Sequence, residues 1–235
     1  MDRELLEREL TAVVARRRLL DHPFYRRWER GELDASELAA YAAQYRHLEA
    51  ALPGLLGGVA AGTESGPGRD AVLRTLADEV GPPSHLELFD GFAAAVEAPS
   101  DPPAPATTAL LDLQRRRVAQ GPVTGLAALL AYELQVPEVA ASKAEGLRTH
   151  HRLGADATRF WDLHAGLDVE HASWSLDALA ALTEDPAPVV EAAAEAAGGW
   201  WAFLDERMAR GEDRRQAGSA CGRSGGSPLS RTAGR

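Results

Sequence analysis

Along nearly all of the first 210 residues, apolar side chains return every three to four positions, while runs of β-branched residues at every second position are missing. That period lays an apolar stripe on each segment and predicts an all-α chain. A first helix is expected over about residues 2–20. HPFYRRWERGELDASEL then supplies a short helix, a stop at Gly31 and an N-cap at Asp34 answered by Glu37 three residues on. The next helix is expected from about 35 to 60, bent at Pro53, whose ring clashes with the preceding turn and which has no N–H to give. AGTESGPGRD reads as a loop, followed by a helix to about Glu79, a break at GPPS and a restart through HLELFDGFAAAV. EAPSDPPAPAT is a second connection. Helices follow near 106–119, 122–150, 154–183 and 186–209, with no internal repeat.

Composition sharpens the domain limits. Residues 211–235 carry five Arg, two acids and almost nothing apolar, so a helical-bundle domain over 1–210 with a disordered tail over 211–235 is expected. The whole chain has 25 Lys and Arg against 35 Asp and Glu, a net charge of −10. An acid excess without a basic face disfavours nucleic acid as a partner and leaves small molecules or proteins. The N-terminal MDRELLERELTAVVARRRLL is charged and amphipathic, and no apolar run is long enough for a bilayer, so a cytoplasmic protein that does not engage a membrane is expected. The one cysteine, Cys221, lies away from any apolar periodicity, where a thiol nucleophile has no formed site.

Three places carry candidate chemistry. In WDLHAGLDVEH, offsets of zero, four and seven keep His164, Asp168 and His171 within an arc of about 60° on one helix face. The ordinary alternative is a solvated face. Glu133 shares a helical face with Leu126, Leu129, Leu130, Val136 and Ala140, and a buried carboxylate needs a cation, a hydrogen-bond network or a metal. Pro137, four residues on, denies the Glu133 carbonyl its helical donor and predicts a kink. Glu79 and His85 flank the Gly81-Pro82-Pro83 break, where either a surface turn or a convergent pair fits. Together these segments offer three carboxylates and three imidazoles from separate helices, the means by which bundles build dinuclear sites. Three carboxylates against two divalent ions leave +1, and mixed oxygen and nitrogen donors without thiolate suit iron or manganese.

HPFYRRWERGELDASELAAYAAQY, LADEVGPPSHLELF, AYELQVPEVAASKAEGL and FWDLHAGLDVEH, in that order, resemble the haem-oxygenase-like dimetal oxidases, a branch of the TenA and pyrroloquinoline-quinone synthase superfamily. The likeness covers about residues 15–205. It implies a bundle of about seven helices that binds two irons, or iron with manganese, and activates dioxygen with electrons from an external reductant. The ligands it implies are Glu79, His85, Glu133, His164, Asp168 and His171. Within the branch the chain is most similar to the chlamydial protein associating with death domains and its relatives, which act in an alternative route to para-aminobenzoate. That group is thought to cleave one of its own tyrosines and to take nitrogen from a lysine. The matching residues are Tyr25 and Lys143, with Tyr41, Tyr45 and Tyr132 at further aromatic positions. Two departures stand out. The Glu79–His85 interval is one residue short, leaving Asp78 or Glu79 open as the ligand, and Arg46 follows Tyr45 where a second tyrosine is common.

The resemblance also admits oxidation of an external small molecule, such as an amino acid or fatty acid. A TenA-type thiaminase needs a cysteine nucleophile within the bundle. A cofactorless quinone-ring oxidase needs a basic pocket, which an acidic ligand set opposes. A metal-free helical interaction protein needs exposed apolar patches. Bundles of this kind commonly pair through an apolar face, so a homodimer is expected.

Overall fold

A computed structural model describes residues 1–223, with side chains through residue 216, and its regular structure among these residues is helical throughout. Ten α-helices follow one another: α1 (Arg3–Ala15), α2 (Pro23–Glu29), α3 (Ala35–Gly62), α4 (Pro67–Val80), α5 (His85–Ala95), α6 (Pro105–Gln120), α7 (Pro122–Glu133), α8 (Val136–His151), α9 (Ala155–Leu182) and α10 (Ala187–Arg223). The all-α bundle expected from the periodicity is the observed fold. Its helix number exceeds seven because several rods are broken into halves.

The breaks have local causes. α1 stops at Ala15 rather than near 20, and the Leu19 N–H leaves helical pairing to donate to Gln135 Oε1 at 2.7 Å. Between α7 and α8 the kink expected at Pro137 is a full interruption at Leu134–Gln135. Gln135 repairs part of it by donating from Nε2 to the Ala131 carbonyl, 3.3 Å away. Gly81, Pro82 and Pro83 end α4, and Ser84 starts α5 with a capping box to Glu87. The Asp34–Glu37 capping box at the head of α3 is present, and Pro53 lies inside that helix.

At the C-terminus helix continues to Arg223, past the end expected near 209 and into the stretch read as a tail; residues 224–235 lie outside the described residues. The extension has a tertiary anchor. Arg215 and Arg27 both pair with the buried carboxylate of Glu37. Gly211 makes the close passage possible, since a Cβ there would clash with Glu37 Oε1.

The core divides into two apolar clusters with a polar layer between them. On α3, Tyr41, Tyr45 and Leu48 belong to the first cluster and Leu55, Leu56 and Val59 to the second; Glu49 lies between. On α9, Phe160 and Trp161 lead to His164, Asp168 and His171, and then to Ala172, Leu176 and Leu179. Leu130, Glu133 and Val136 repeat the order across α7 and α8. The helices therefore cross one shared level at which each presents a donor side chain.

Candidate metal centre

All six residues of the expected ligand set are buried, and the fold draws them to this level. The α4–α5 break folds back so that Glu79 Oε2 lies 2.9 Å from His85 Nδ1. Glu79 Oε1 lies 3.9 Å from His171 Nδ1, so each oxygen of this carboxylate faces a different imidazole. His171 Nδ1 is also 3.3 Å from Asp168 Oδ1. The His85 and His164 rings stand 4.6 Å apart. Glu133 reaches the layer from α7 and accepts from Ser175 Oγ at 2.9 Å.

The histidine tautomers follow from their outer partners. The Phe160 carbonyl can only accept, so His164 Nδ1, 2.7 Å away, carries the proton and leaves Nε2 free to ligate. His171 Nε2 lies 3.2 Å from Asp78 Oδ2, which leaves Nδ1 turned towards Asp168 and Glu79. This separates the two acids the sequence left open. Asp78 is 41% exposed and steadies His171 from behind, whereas Glu79 points into the layer.

Buried donors without partners test whether a metal fits. His85 Nδ1, Asp168 Oδ2 and Glu49 Oε1 are enclosed and form no hydrogen bond. His85 Nδ1 is close to Glu79 Oε2, yet the two are not aligned for an N–H···O bond. Buried donors left without hydrogen bonds are what a cation would satisfy, and oxygen and imidazole donors without thiolate fit iron or manganese.

Burial and mutual charge shift the protonation of these groups. Burial is the largest influence on Glu133 and, with the charges of Asp168 and Glu79, outweighs His171 to push its carboxyl up to about 7. Burial works against the His171 cation, but its bond to Asp168 and the charges of Glu133, Asp168 and Glu79 prevail and raise it to about 9. Burial lowers His164.

Beside this layer lies an aromatic cage containing all four tyrosines of the chain. Tyr25 and Tyr41 share a hydrogen bond of 2.9 Å between their hydroxyls, and Lys143 Nζ donates to the Tyr41 hydroxyl at 2.7 Å. Lys143 is fully enclosed, 4.0 Å from the centre of the Trp161 ring and 4.8 Å from that of Tyr25. Burial drives its amine well below the ordinary lysine value and raises the Tyr25 phenol. Tyr45 and Tyr132 pair at 3.0 Å between hydroxyls, and Tyr132 stacks on Trp200 with ring centres 3.9 Å apart. Two short covalent links join cage to layer: Tyr45 is one helical turn before Glu49, and Trp161 one turn before His164. Arg46 points away from the cage, pairing with Asp90 at 2.6 Å on the surface.

Glu49 is the member that sequence reasoning missed. Ligand atoms of Glu49, His85 and His164 all lie within 4.8 Å of one another. A signal was present: Glu49 stands four residues before Pro53, as Glu133 stands four before Pro137, and it continues the helical face of Tyr41 and Tyr45.

Comparison with known proteins shows the family. The family described as iron-containing redox enzyme matches residues 39–207. The 4-aminobenzoate synthase of Chlamydia pneumoniae is 30% identical over 210 residues, spanning 86% of this chain and 92% of that protein. The 4-aminobenzoate synthase of Nitrosomonas europaea is 33% identical over 219 residues, spanning 85% and 89%. Among solved structures, a haem-oxygenase-like domain from Shewanella denitrificans superimposes with a TM-score of 0.74 at 18% identity, covering 99% of each chain. A TenA homologue from Pseudomonas syringae does so at 0.73 and 17% identity, covering 87% and 91%. Among the described residues no helix is long and apolar enough to cross a membrane.

Proposed function

The chain belongs to the haem-oxygenase-like family of iron-containing redox enzymes, and from that premise we propose that it is a non-haem dimetal oxidase that makes 4-aminobenzoate from its own Tyr25 and Lys143. The observation that carries the reading is the enclosed Lys143 amine, 4.8 Å from the centre of the Tyr25 ring. The product named for the relatives is a benzene ring bearing a one-carbon acid and, opposite it, a nitrogen. A tyrosine side chain contains that ring and that carbon, with oxygen where the nitrogen must go. A neutral amine has the lone pair such a replacement needs, and burial holds Lys143 towards that form.

Two irons, or iron with manganese, held by Glu79, His85, Glu133, His164, Asp168 and His171 would supply dioxygen activation, drawing on an external reductant. The chain's own groups do the rest. Asp78 and the Phe160 carbonyl fix the two imidazoles, so that their ligating nitrogens need not reorganise. The Tyr41 hydroxyl, bonded to both Tyr25 and Lys143, sets their separation and stands where a proton leaving either would pass. Trp28, Trp161 and Phe24 close the cage against water.

Anaerobically iron-loaded protein, exposed to oxygen and a reductant, tests this. We expect at most one 4-aminobenzoate per chain, with matching mass changes at residue 25, which loses its ring and benzylic carbon, and at residue 143, whose carbon–nitrogen bond is broken to release the nitrogen, and no product from Tyr25→Phe or Lys143→Met. A cavity of about 50 Å³ lined by Tyr45, Glu49, Tyr132 and Glu133 favours the second reading, oxidation of an external small molecule. Many turnovers per chain with an intact mass would select it.

A further inference from the structure

We infer that Glu49 is a seventh protein ligand of the metal pair, bound to the ion that His85 and His164 hold, and that it is the ligand which gives way when a small molecule enters from the cavity. The inference rests on the dimetal reading above. Three observations carry it. Glu49 Oε1 is enclosed without a hydrogen bond among the described residues, and a carboxylate oxygen of Glu49 lies within 4.8 Å of a ring nitrogen of both His85 and His164. An enclosed carboxyl group either keeps its proton or, as a carboxylate, takes a compensating cation. The amine nearest in kind, Lys143, is itself disfavoured as a cation by burial.

The second observation is the charge of the whole layer. Glu79, Glu133 and Asp168 leave two divalent ions with one uncompensated positive charge, in a place where every contributing side chain is buried. Glu49 brings the assembly to neutrality, the state that a low-dielectric interior favours. The third is position. Of the acids in the layer, Glu49 and Glu133 line the cavity shared with Tyr45 and Tyr132. Glu133 is tethered by Ser175, whereas Glu49 Oε1 has no hydrogen-bond partner among the described residues and can swing without breaking one.

Anaerobic Fe(II) titration against a chromophoric chelator tests this on wild type, Glu49→Gln and Glu49→Ala, with the metal-free melting temperature as a check of folding. Wild type should take up two ions. Glu49→Gln, equal in size, should hold the second at least tenfold more weakly. In Glu49→Ala, added formate should restore the lost affinity, and azide should bind the loaded protein at least tenfold more tightly than it binds wild type. A purely structural role for Glu49 predicts neither formate rescue nor tighter azide binding. Equal affinities in wild type and Glu49→Gln would refute the seventh ligand and leave the six-ligand site standing. Absence of metal from the wild type would remove both. If Glu49→Gln does not fold, Glu49→Asp replaces it, with weaker second-ion binding expected and unchanged affinity counting against the inference.

Discussion

At the scale of single residues, the centre is built from groups whose ordinary states are unwelcome where they are placed. Lys143 donates to the Tyr41 hydroxyl and is enclosed by aromatic rings. Lys143→Met should therefore leave the metal-free protein within about 1–2 kcal/mol of wild type, or more stable, because an apolar chain replaces a buried amine. The same change should abolish 4-aminobenzoate release; urea denaturation and product chromatography on one preparation separate the two effects. His22 gives a pH signature away from the metal layer. Its Nδ1 accepts from the Phe24 N–H and caps α2, so Nε2 carries the proton and donates to Asp205. Burial, opposed by Asp205, lowers its pKa below the ordinary 6.5. The unfolded chain then takes up a proton below about pH 6.5 that the folded chain resists, so this contribution to stability is full above that pH and is lost as pH falls. Denaturation midpoints should show that loss in wild type and a shallower one in His22→Asn, which keeps a capping acceptor. Glu49 shows the limit of reading at this scale. One acid in an alanine-rich helix has no periodic relation to His85, 36 positions on, and only the fold reveals that they meet.

Elements were far more legible, because caps and periodicity are local. The Asp34–Glu37 box, the stop at Gly81-Pro82-Pro83 and the weakness at Pro137 each depend on residues within one turn of the feature. α10 shows the converse. Its extension past residue 210 depends on Glu37, more than 170 residues away, and on Gly211 lacking a side chain, so composition alone suggested a tail. Element packing also sets the spacing in the cage. A Cβ at Gly146 would lie 2.8 Å from Trp28 Cδ1 and 3.2 Å from the Trp28 carbonyl, so the bare backbone of α8 lets α2 approach. The same contact lets Trp28 Nε1 donate to the Lys143 carbonyl at 3.2 Å. Gly146→Ala should cost about 1–3 kcal/mol through overpacking, read as a lower melting temperature. It should also reduce 4-aminobenzoate yield by moving Tyr25, carried on α2, away from Lys143.

For the whole molecule, the decisive arrangement is a charged level clamped between two apolar clusters. Without cations, neighbouring carboxylates in that level repel one another, and metal binding there would convert the strain into stability by mass action, about 2.7 kcal/mol at a free concentration a hundredfold above Kd. Thermal melts should shift upwards with Fe(II) or Mn(II). Glu133→Gln, whose amide can keep the Ser175 contact, should raise the melting temperature of the metal-free protein and largely lose the metal-induced shift. The sealed cage adds an outcome for the molecule's lifetime. On the proposed mechanism, a chain that gave up the ring of Tyr25 would keep a hole the size of a phenol where Phe24, Trp28 and Tyr41 had closed upon it. Such a void costs about 3–5 kcal/mol, a large share of the stability of a typical domain. The exhausted protein should melt earlier and be digested faster than its fresh counterpart, so that one act of synthesis would also mark the chain for disposal.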